Sequence, residues 1–477
     1  MIRRLLALAL ILALVSPVAA RAQNFGNIAP QTVLGNPSTT TKQPARPMPA
    51  PTLSPQNYGA KGDGVADDTT AVQAAFTAVC TAAAQRGLYI PDGTYKLTAQ
   101  IVIPGPCAGM RAQFQSKNAV LSYAGTTNIT GILKFDGVNA NILSIDFGGG
   151  TITGNSHAQN AIWASGMLHS KFHDLKLRNI TGSAFLGQFL VVDTLDNITT
   201  SNNDGAYTTK PTSCITFQTD GPNGGAYVVT LINPICEGVS GDGWVLSTSN
   251  GNVFVGGTSE GNGGRGLTLA SDADRNTFQN ADLEANAGPD MVVAGNYNQF
   301  INLTVASPPA SPAHFIGGAG NTIIGGTYNQ LTIDAGSTGT SLVGVRYGLA
   351  GGGLQNNTNT TTIINSSSTG AGGTTFPASG VATAGVISAI GPSDLRLNAP
   401  TGQEITMTIN GVAGVNYEPG IFYPVSNNTT NLGAAANHWA AIYGTSFYGG
   451  MGATAGVTCT GPPSSSFASA GGIVTHC

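Results

Sequence analysis

The chain of 477 residues is long enough for one large elongated domain with smaller parts attached. Only 9 % of its residues are charged, against a usual figure of about 25 %, and the net charge is −4, so it carries no electrostatic footprint for nucleic acid. Its 41 % hydrophobic content, arranged in a regular repeat, excludes a chain that is disordered throughout.

Residues 1–22 read as a secretory signal peptide. Arg3 and Arg4 form the basic start, Leu5 to Val15 the apolar core, and Ala20-Arg21-Ala22 the cleavage box. The apolar run is too short for a good membrane span. No membrane association is expected after cleavage, and the mature protein is expected to be secreted, periplasmic or at the cell surface. Residues 23–54 crowd Pro44, Pro47, Pro49 and Pro51 into a Pro/Thr-rich linker. Export makes disulfides plausible. The six cysteines fall into the near pairs Cys80–Cys107, Cys214–Cys236 and Cys459–Cys477, none with zinc-site spacing.

From Asn57 to Tyr95 the pattern is turn, helix, strand, turn. Asp67 or Asp68 caps a helix whose apolar stripe is Val72, Ala75, Phe76, Val79 and Ala83, with Gly87 as its terminator. Leu88 to Ile90 reads as a strand. A lone amphipathic helix at this place has the physical task of covering the open end of a solenoid core. Asp63, Asp67 and Asp68 read as turn and cap residues rather than a catalytic or metal cluster.

The stretch Asn57-Tyr-Gly-Ala-Lys-Gly-Asp-Gly-Val-Ala-Asp-Asp, closing on Leu88-Tyr-Ile-Pro-Asp-Gly-Thr-Tyr, resembles the N-terminal signature of the pectate-lyase-like β-helix superfamily, in the branch of rhamnogalacturonase/epimerase-type proteins and phage tailspikes. The resemblance implies a right-handed parallel β-helix and a polysaccharide partner. In uronate-cleaving lyases of this superfamily an Arg or Lys takes a proton beside an acidic sugar. Here His169, Lys171, His173, Lys176 and Arg178 form a basic cluster without a tight Asp/Glu ligand set, so they read as a solvated outer face. Asn202-Asn-Asp204 resembles the Asn-x-Asp element of polygalacturonase-type hydrolases, which makes Asp204 a candidate substrate-binding residue. The Gly-His-Gly and Arg-x-Lys elements that accompany it in those hydrolases are absent.

The repeat is clearest between Val229 and Val345. Segments starting at Val229, Asn252, Asn276, Asn298, Asn321 and Thr340 have the spacing of a solenoid coil. Their third positions, Leu231, Phe254, Phe278, Phe300, Ile323 and Leu342, are large and apolar and face inward. Their first positions are mostly Asn, which can bond its neighbours along the axis at a buried turn. Trp244 falls in an all-apolar column and reads as core, whereas Trp163 is open to either face.

Eight positions after the segment starts stand Glu237, Glu260, Glu284, Ala306 and Asn329. Three consecutive coils thus place a carboxylate at one turn, about 4.8 Å apart. Like charges at that distance favour a shared proton, and a protonated acid beside an ionised carboxylate is what glycoside hydrolysis uses. Glu237, Glu260 and Glu284 are therefore the candidate catalytic residues; the alternative is a solvated structural ladder at a bend, each Glu bonding backbone amides. Asp242, on the Glu237 coil, is a second candidate substrate-binding residue. No metal and no cofactor are expected.

The β-helix is expected over 55–347, a Gly/Ser/Thr-rich linker over 348–393, and a small β-rich module over 394–477. Within that module Asn431-Leu-Gly and Trp439-Ala-Ala-Ile-Tyr resemble a phage tail-fibre module, from which a homotrimer held by the C-terminal region is expected. The whole reads as an all-β chain: a right-handed parallel β-helix with an N-terminal helix cap and a small β-rich C-terminal module. Its expected function is cleavage of a polysaccharide by hydrolase or lyase chemistry. The alternative is a non-catalytic glycan-binding adhesin or tailspike-like structural protein.

Overall fold

The computed structural model describes residues 53–81, 87–201, 209–219, 221, 224–305, 313–315, 318–347, 354–358, 361–364, 366–368, 374–375, 405–409, 412–418, 421–424, 468–470 and 473–476. They fall into two units, Met1–Gly385 and Val386–Cys477. The first is a parallel β-helix. Each coil contributes three short strands, as in Trp244–Asn250, Val253–Val255 and Thr258–Glu260. Stacked coil on coil, these build three faces. The Trp244 strand lies in a 14-stranded parallel sheet (face 1), and the other two lie in a 23-stranded sheet whose strands run along two tracks (faces 2 and 3).

Strand alternation sends one side chain of each Val253-type triplet inward. Phe254, Phe278 and Phe300 align in register and stack with centroids 4.6 and 5.6 Å apart. Trp244 is fully buried against Phe254, as its apolar column implied. Trp163 instead lies half-buried on face 1, with Lys134 Nζ 4.4 Å from the ring centroid and its indole N–H donated to Gln188.

Two corners carry distinct columns. Between faces 2 and 3 the chain turns through left-handed residues: Asn233, Gly256, Asn280, Asn302, Gly325 and Gly344 all have φ between 49° and 66°. Asn and Gly tolerate that region, which explains their recurrence. Between faces 1 and 2 stand the buried Asn252, Asn276, Asn298 and Asn321. Asn252 Nδ2 donates to Asn276 Oδ1 at 2.9 Å, and Asn276 Nδ2 donates to Asn298 Oδ1 at 3.1 Å. The same oxygens accept the backbone N–H groups of Asn252 and Asn276. Each amide therefore satisfies buried groups of two coils. Asn276→Ala is expected to destabilise the domain by about 3 kcal/mol by orphaning those donors. Equilibrium chemical unfolding measures it, and a change below about 0.5 kcal/mol would show that the ladder is dispensable.

The helix α1 (Thr69–Thr81) buries Val72, Ala75, Phe76 and Val79 over the first coil, as the stripe predicted. Ala83 lies outside the described residues. Gly87 opens the strand Gly87–Ile90 and pairs with Arg111, so it is extended and not the left-handed terminator expected; residues 82–86 lie outside the described ones. Asp68 accepts the N–H groups of Lys61 and Gly62, Asp67 caps Thr69, and Asp63 caps Val65 and Ala66. All three are turn and cap residues. Gln73 of α1 closes the exposed edge of the strand Ile101–Pro104. Its amide donates to Val102 O and accepts Val102 N, both at 2.8 Å, so a side chain serves as a further pairing partner at the sheet edge.

Disulfides join Cys80 to Cys107 and Cys214 to Cys236, as the local pairing implied, and fit an oxidising compartment. Cys459–Cys477 lies outside the described residues, as do the signal peptide and all but the end of the 23–54 linker. The coils do not stop at Tyr347. Leu354–Asn356 pairs with Leu331–Ile333, Thr362–Ile364 with Ser341–Val343, and Ser367–Ser368 with Arg346–Tyr347. The segment read as a linker from Gly348 thus begins with further coil. Its Ser, Thr and Asn residues give no apolar alternation, but an existing coil supplies the backbone partners. In the second unit, Ile405–Ile409, Val412–Glu418 and Ile421–Pro424 form an antiparallel sheet, and Ala468–Ala470 pairs with Ile473–His476. No described helix is long and apolar enough to cross a membrane.

Candidate active site

Glu237, Glu260 and Glu284 end three successive face-3 strands, Ile235–Glu237, Thr258–Glu260 and Asp282–Glu284. Strand pairing sets Glu237 opposite Glu260 and Glu260 opposite Glu284. Their inward neighbours Cys236, Ser259 and Leu283 are buried, so alternation turns all three carboxylates outward in one column, each partly buried. The sequence spacing and the register agree.

Glu260, the middle member, has its carboxyl pushed above the ordinary range. Partial burial contributes most, followed by the charges of Glu237 and Glu284, then Asp282, and a hydrogen bond with Glu284. Asp282, two residues before Glu284 on the same outward side, is also pushed up, by burial first and then by Glu284 and Asp290. Its Oδ1 is buried with no hydrogen-bond partner. Among the described residues, no Lys or Arg forms an ion pair with Glu260 or Glu284. At the other end of the column the Ser201 hydroxyl donates to Glu237 Oε2. Ser201 stands opposite Glu237 in register, one coil earlier, and it fixes the orientation of that carboxylate. Sequence reading missed both Ser201 and Asp282. Ser201 shares the column and Asp282 only its outward parity, and aligning the coil of Thr194–Ser201 with the later ones would have found Ser201.

The basic cluster is threaded with acids. His173 stands between Asp146 and Asp174, at 3.0 and 2.9 Å, and Lys171 pairs with Asp196 at 2.9 Å. Lys176 and Arg178 lie on face 3 of the same strand, Lys171–Arg178, two coils before Glu237.

The substrate-binding candidates fare differently. Asp242 is committed to the fold: Oδ1 accepts the Arg265 N–H and Oδ2 accepts the Thr268 hydroxyl, both at 2.8 Å. It holds the entrance to face 1 and is not directed at the Glu column. Asp204 lies outside the described residues. A surface depression of about 520 Å³ beside α1, lined by Thr69, Gln73, Thr77 and Gln100 among others, is remote from the carboxylates. Among the described residues no group of three or more His, Cys, Asp and Glu is placed to hold a metal ion.

A helix-capped parallel β-helix with an outward carboxylate column defines the class of protein. Residues 54–106 match the family model described as rhamnogalacturonase A/epimerase, pectate lyase-like, so the superfamily resemblance holds over the cap and the first strands. Among solved structures, the ORF18 protein of Geobacillus virus E2 is 16 % identical at a TM-score of 0.49. The alignment covers 67 % of this chain and 62 % of the viral chain, less than two thirds of the latter's length. The A-module of the mannuronan C-5 epimerase AlgE4 of Azotobacter vinelandii is 16 % identical at a TM-score of 0.45, covering 68 % of this chain and 96 % of that one. PfbA, a surface adhesin of Streptococcus pneumoniae, is 14 % identical at a TM-score of 0.45, covering 76 % and 99 %.

Proposed function

We propose that this chain is a surface or secreted polysaccharide hydrolase that works along the Glu237–Glu260–Glu284 column. One observation carries the reading: the middle carboxyl stands in register between two others and is pushed above the ordinary carboxylate range by burial and by their charges. Glu260 is then the general acid that protonates the leaving glycosidic oxygen. Glu237, oriented by Ser201, is the nucleophile on the adjacent coil, and Glu284 retains the proton on Glu260 until transfer. Two adjacent coils stand about 4.8 Å apart, close to the ~5–5.5 Å carboxyl separation of retaining glycosidases. The expected result is therefore release of reducing ends with retained anomeric configuration. It is read by reducing-sugar assay and early-time NMR on a panel of bacterial and plant polysaccharides. Ultraviolet-absorbing unsaturated products would instead identify a lyase. Binding without cleavage on every polysaccharide that is bound would identify the non-catalytic adhesin, the reading favoured by the missing Gly-His-Gly and Arg-x-Lys elements.

A further inference from the structure

We infer that Asp290 is a positioning residue for the carboxylate column: acting through Asn286 and Asn262, it fixes the direction of a second buried amide ladder that holds the backbone of Glu260 from inside the solenoid. The inference rests on the proposed hydrolase for its kinetic consequence alone. Asn262 and Asn286 stand two residues after Glu260 and Glu284, at the corner between face 3 and the next face 1, and both are buried. They repeat the geometry of the ladder at the corner between faces 1 and 2. Asn286 Oδ1 accepts Asn262 Nδ2 at 2.8 Å and the Asn262 N–H at 3.1 Å. Asn262 Oδ1 accepts the N–H of Val239 at 3.2 Å, two residues after Glu237. Three successive coils are thus joined just past the three carboxylates.

This ladder ends on a group unlike its rungs. Asn286 Nδ2 donates to Asp290 Oδ1 at 2.8 Å, whereas Asn276 of the other ladder donates to a further asparagine. Asp290 is fully buried. A carboxylate accepts hydrogen bonds and donates none, so Asp290 obliges Asn286 to turn its Nδ2 inward and its Oδ1 toward Asn262. The same orientation serves Ser259. Asn286 Nδ2 also donates to the Ser259 carbonyl at 3.0 Å, Asn262 Nδ2 to the Ser259 hydroxyl at 3.1 Å, and that hydroxyl to the Gly266 carbonyl at 2.7 Å. The Ser259 carbonyl belongs to the peptide bond that carries Glu260. With Asn286 flipped, that carbonyl would face an oxygen, and the rung to Asn262 would set donors against each other, leaving several buried groups unmatched. The charge of Asp290 reaches the column as well: after burial and Glu284, it is the third cause that pushes the Asp282 carboxyl up.

The test uses the full chain. It contains only five glutamates, three of them in the column, so isotope labelling of the glutamate carboxyls reports the titration of Glu260 by NMR without any substrate, and Glu260→Gln assigns its signal. Asp290→Ala removes the acceptor, whereas Asp290→Asn keeps an oxygen in the same place and removes the charge. With circular dichroism unchanged, Asp290→Ala should release Asn286, loosen the column and move the titration of Glu260 down toward the ordinary carboxylate range. Asp290→Asn should leave it where the wild type has it. On a polysaccharide that the wild type cleaves, Asp290→Ala should lower kcat by at least ~10-fold with KM within ~2-fold, the mark of misplaced reacting groups. Asp290→Asn should restore most of the lost rate. If Asp290→Ala does not fold, Asp290→Ser, whose hydroxyl is too short to reach Asn286, takes its place. An unchanged Glu260 titration in the folded Ala or Ser variant overturns the proposal, whatever the activity. So does an equal shift in Asp290→Asn, which would assign the effect to charge alone. If the titration moves as expected and no polysaccharide is cleaved, the positioning role stands and the hydrolase reading fails.

Discussion

Glu260→Gln is expected to lower turnover of any polysaccharide the wild type cleaves by about 10²–10⁴-fold, the usual contribution of a positioned general acid. The substitution keeps shape and removes the transferable proton. Partial burial disfavours the charged form of Glu260, and Glu237 and Glu284 flank it in register, so its carboxyl is pushed above the ordinary range. Activity should therefore fall as pH rises through the raised value of Glu260. Glu284→Gln removes one neighbouring charge, so the alkaline limb of the rate profile should move to lower pH. Wild-type turnover in Glu260→Gln would end the assignment. An alkaline limb that stays in place in Glu284→Gln would show that the column is not electrostatically coupled during catalysis.

The second large effect concerns stability, at Asp193. This residue occupies the ladder corner between faces 1 and 2 two coils before Asn252 and is 1 % exposed. Its Oδ1 accepts the Ser170 N–H at 2.6 Å, as Asn252 Oδ1 accepts the Val229 N–H at 2.7 Å. Where an Asn would present an amide, its second oxygen accepts the Val191 N–H at 3.0 Å. Burial pushes the carboxyl up to about 7, against the two hydrogen bonds that lower it. The folded-state value thus exceeds the unfolded value of 3.8, and the folded protein holds this proton longer. Its contribution to stability is fully present below pH ~4 and is lost as pH rises through ~7, a total of about 4 kcal/mol at ~1.36 kcal/mol per pH unit. Asp193→Asn cannot ionise. Chemical unfolding of both proteins from pH 4 to 8 should show the wild type losing about that much relative to the variant. The comparison cancels other titrations and ignores any constant offset from the amide facing Val191. Parallel pH curves for the two proteins would refute it.

The fold was legible wherever one residue repeats its environment from coil to coil. The phenylalanine column, the buried Asn ladder, the capping helix and the Glu register all follow from period and spacing, since a parallel stack translates equal sequence position into equal spatial position. What the spacing could not convey is occupancy. Asp242 looked available because it lies near Glu237 in sequence, yet two hydrogen bonds across the next coil consume it. Asp193 gave no signal because Val229 interrupts the Asn column immediately after it. The basic cluster read as isolated because Asp146 and Asp196 lie a coil away in sequence and opposite it in space. The end of the solenoid was misplaced for a related reason: Ser and Thr coils pair as well as apolar ones but leave no hydrophobic period.

The corners differ in how strictly they count residues. From Ile232 to Val343, exactly two residues always join face 2 to face 3, whereas the passage from face 3 to the next face 1 ranges from two residues, Asn329–Gln330, to eleven, 202–212. The carboxylates stand at the last strand position before that unconstrained passage. Under the proposed function this separates chemistry from recognition: stacked columns hold the carboxylates at a fixed pitch, while the adjoining passages vary in length from coil to coil without disturbing a rung. Loop length and composition could then set the choice of glycan with the column unchanged.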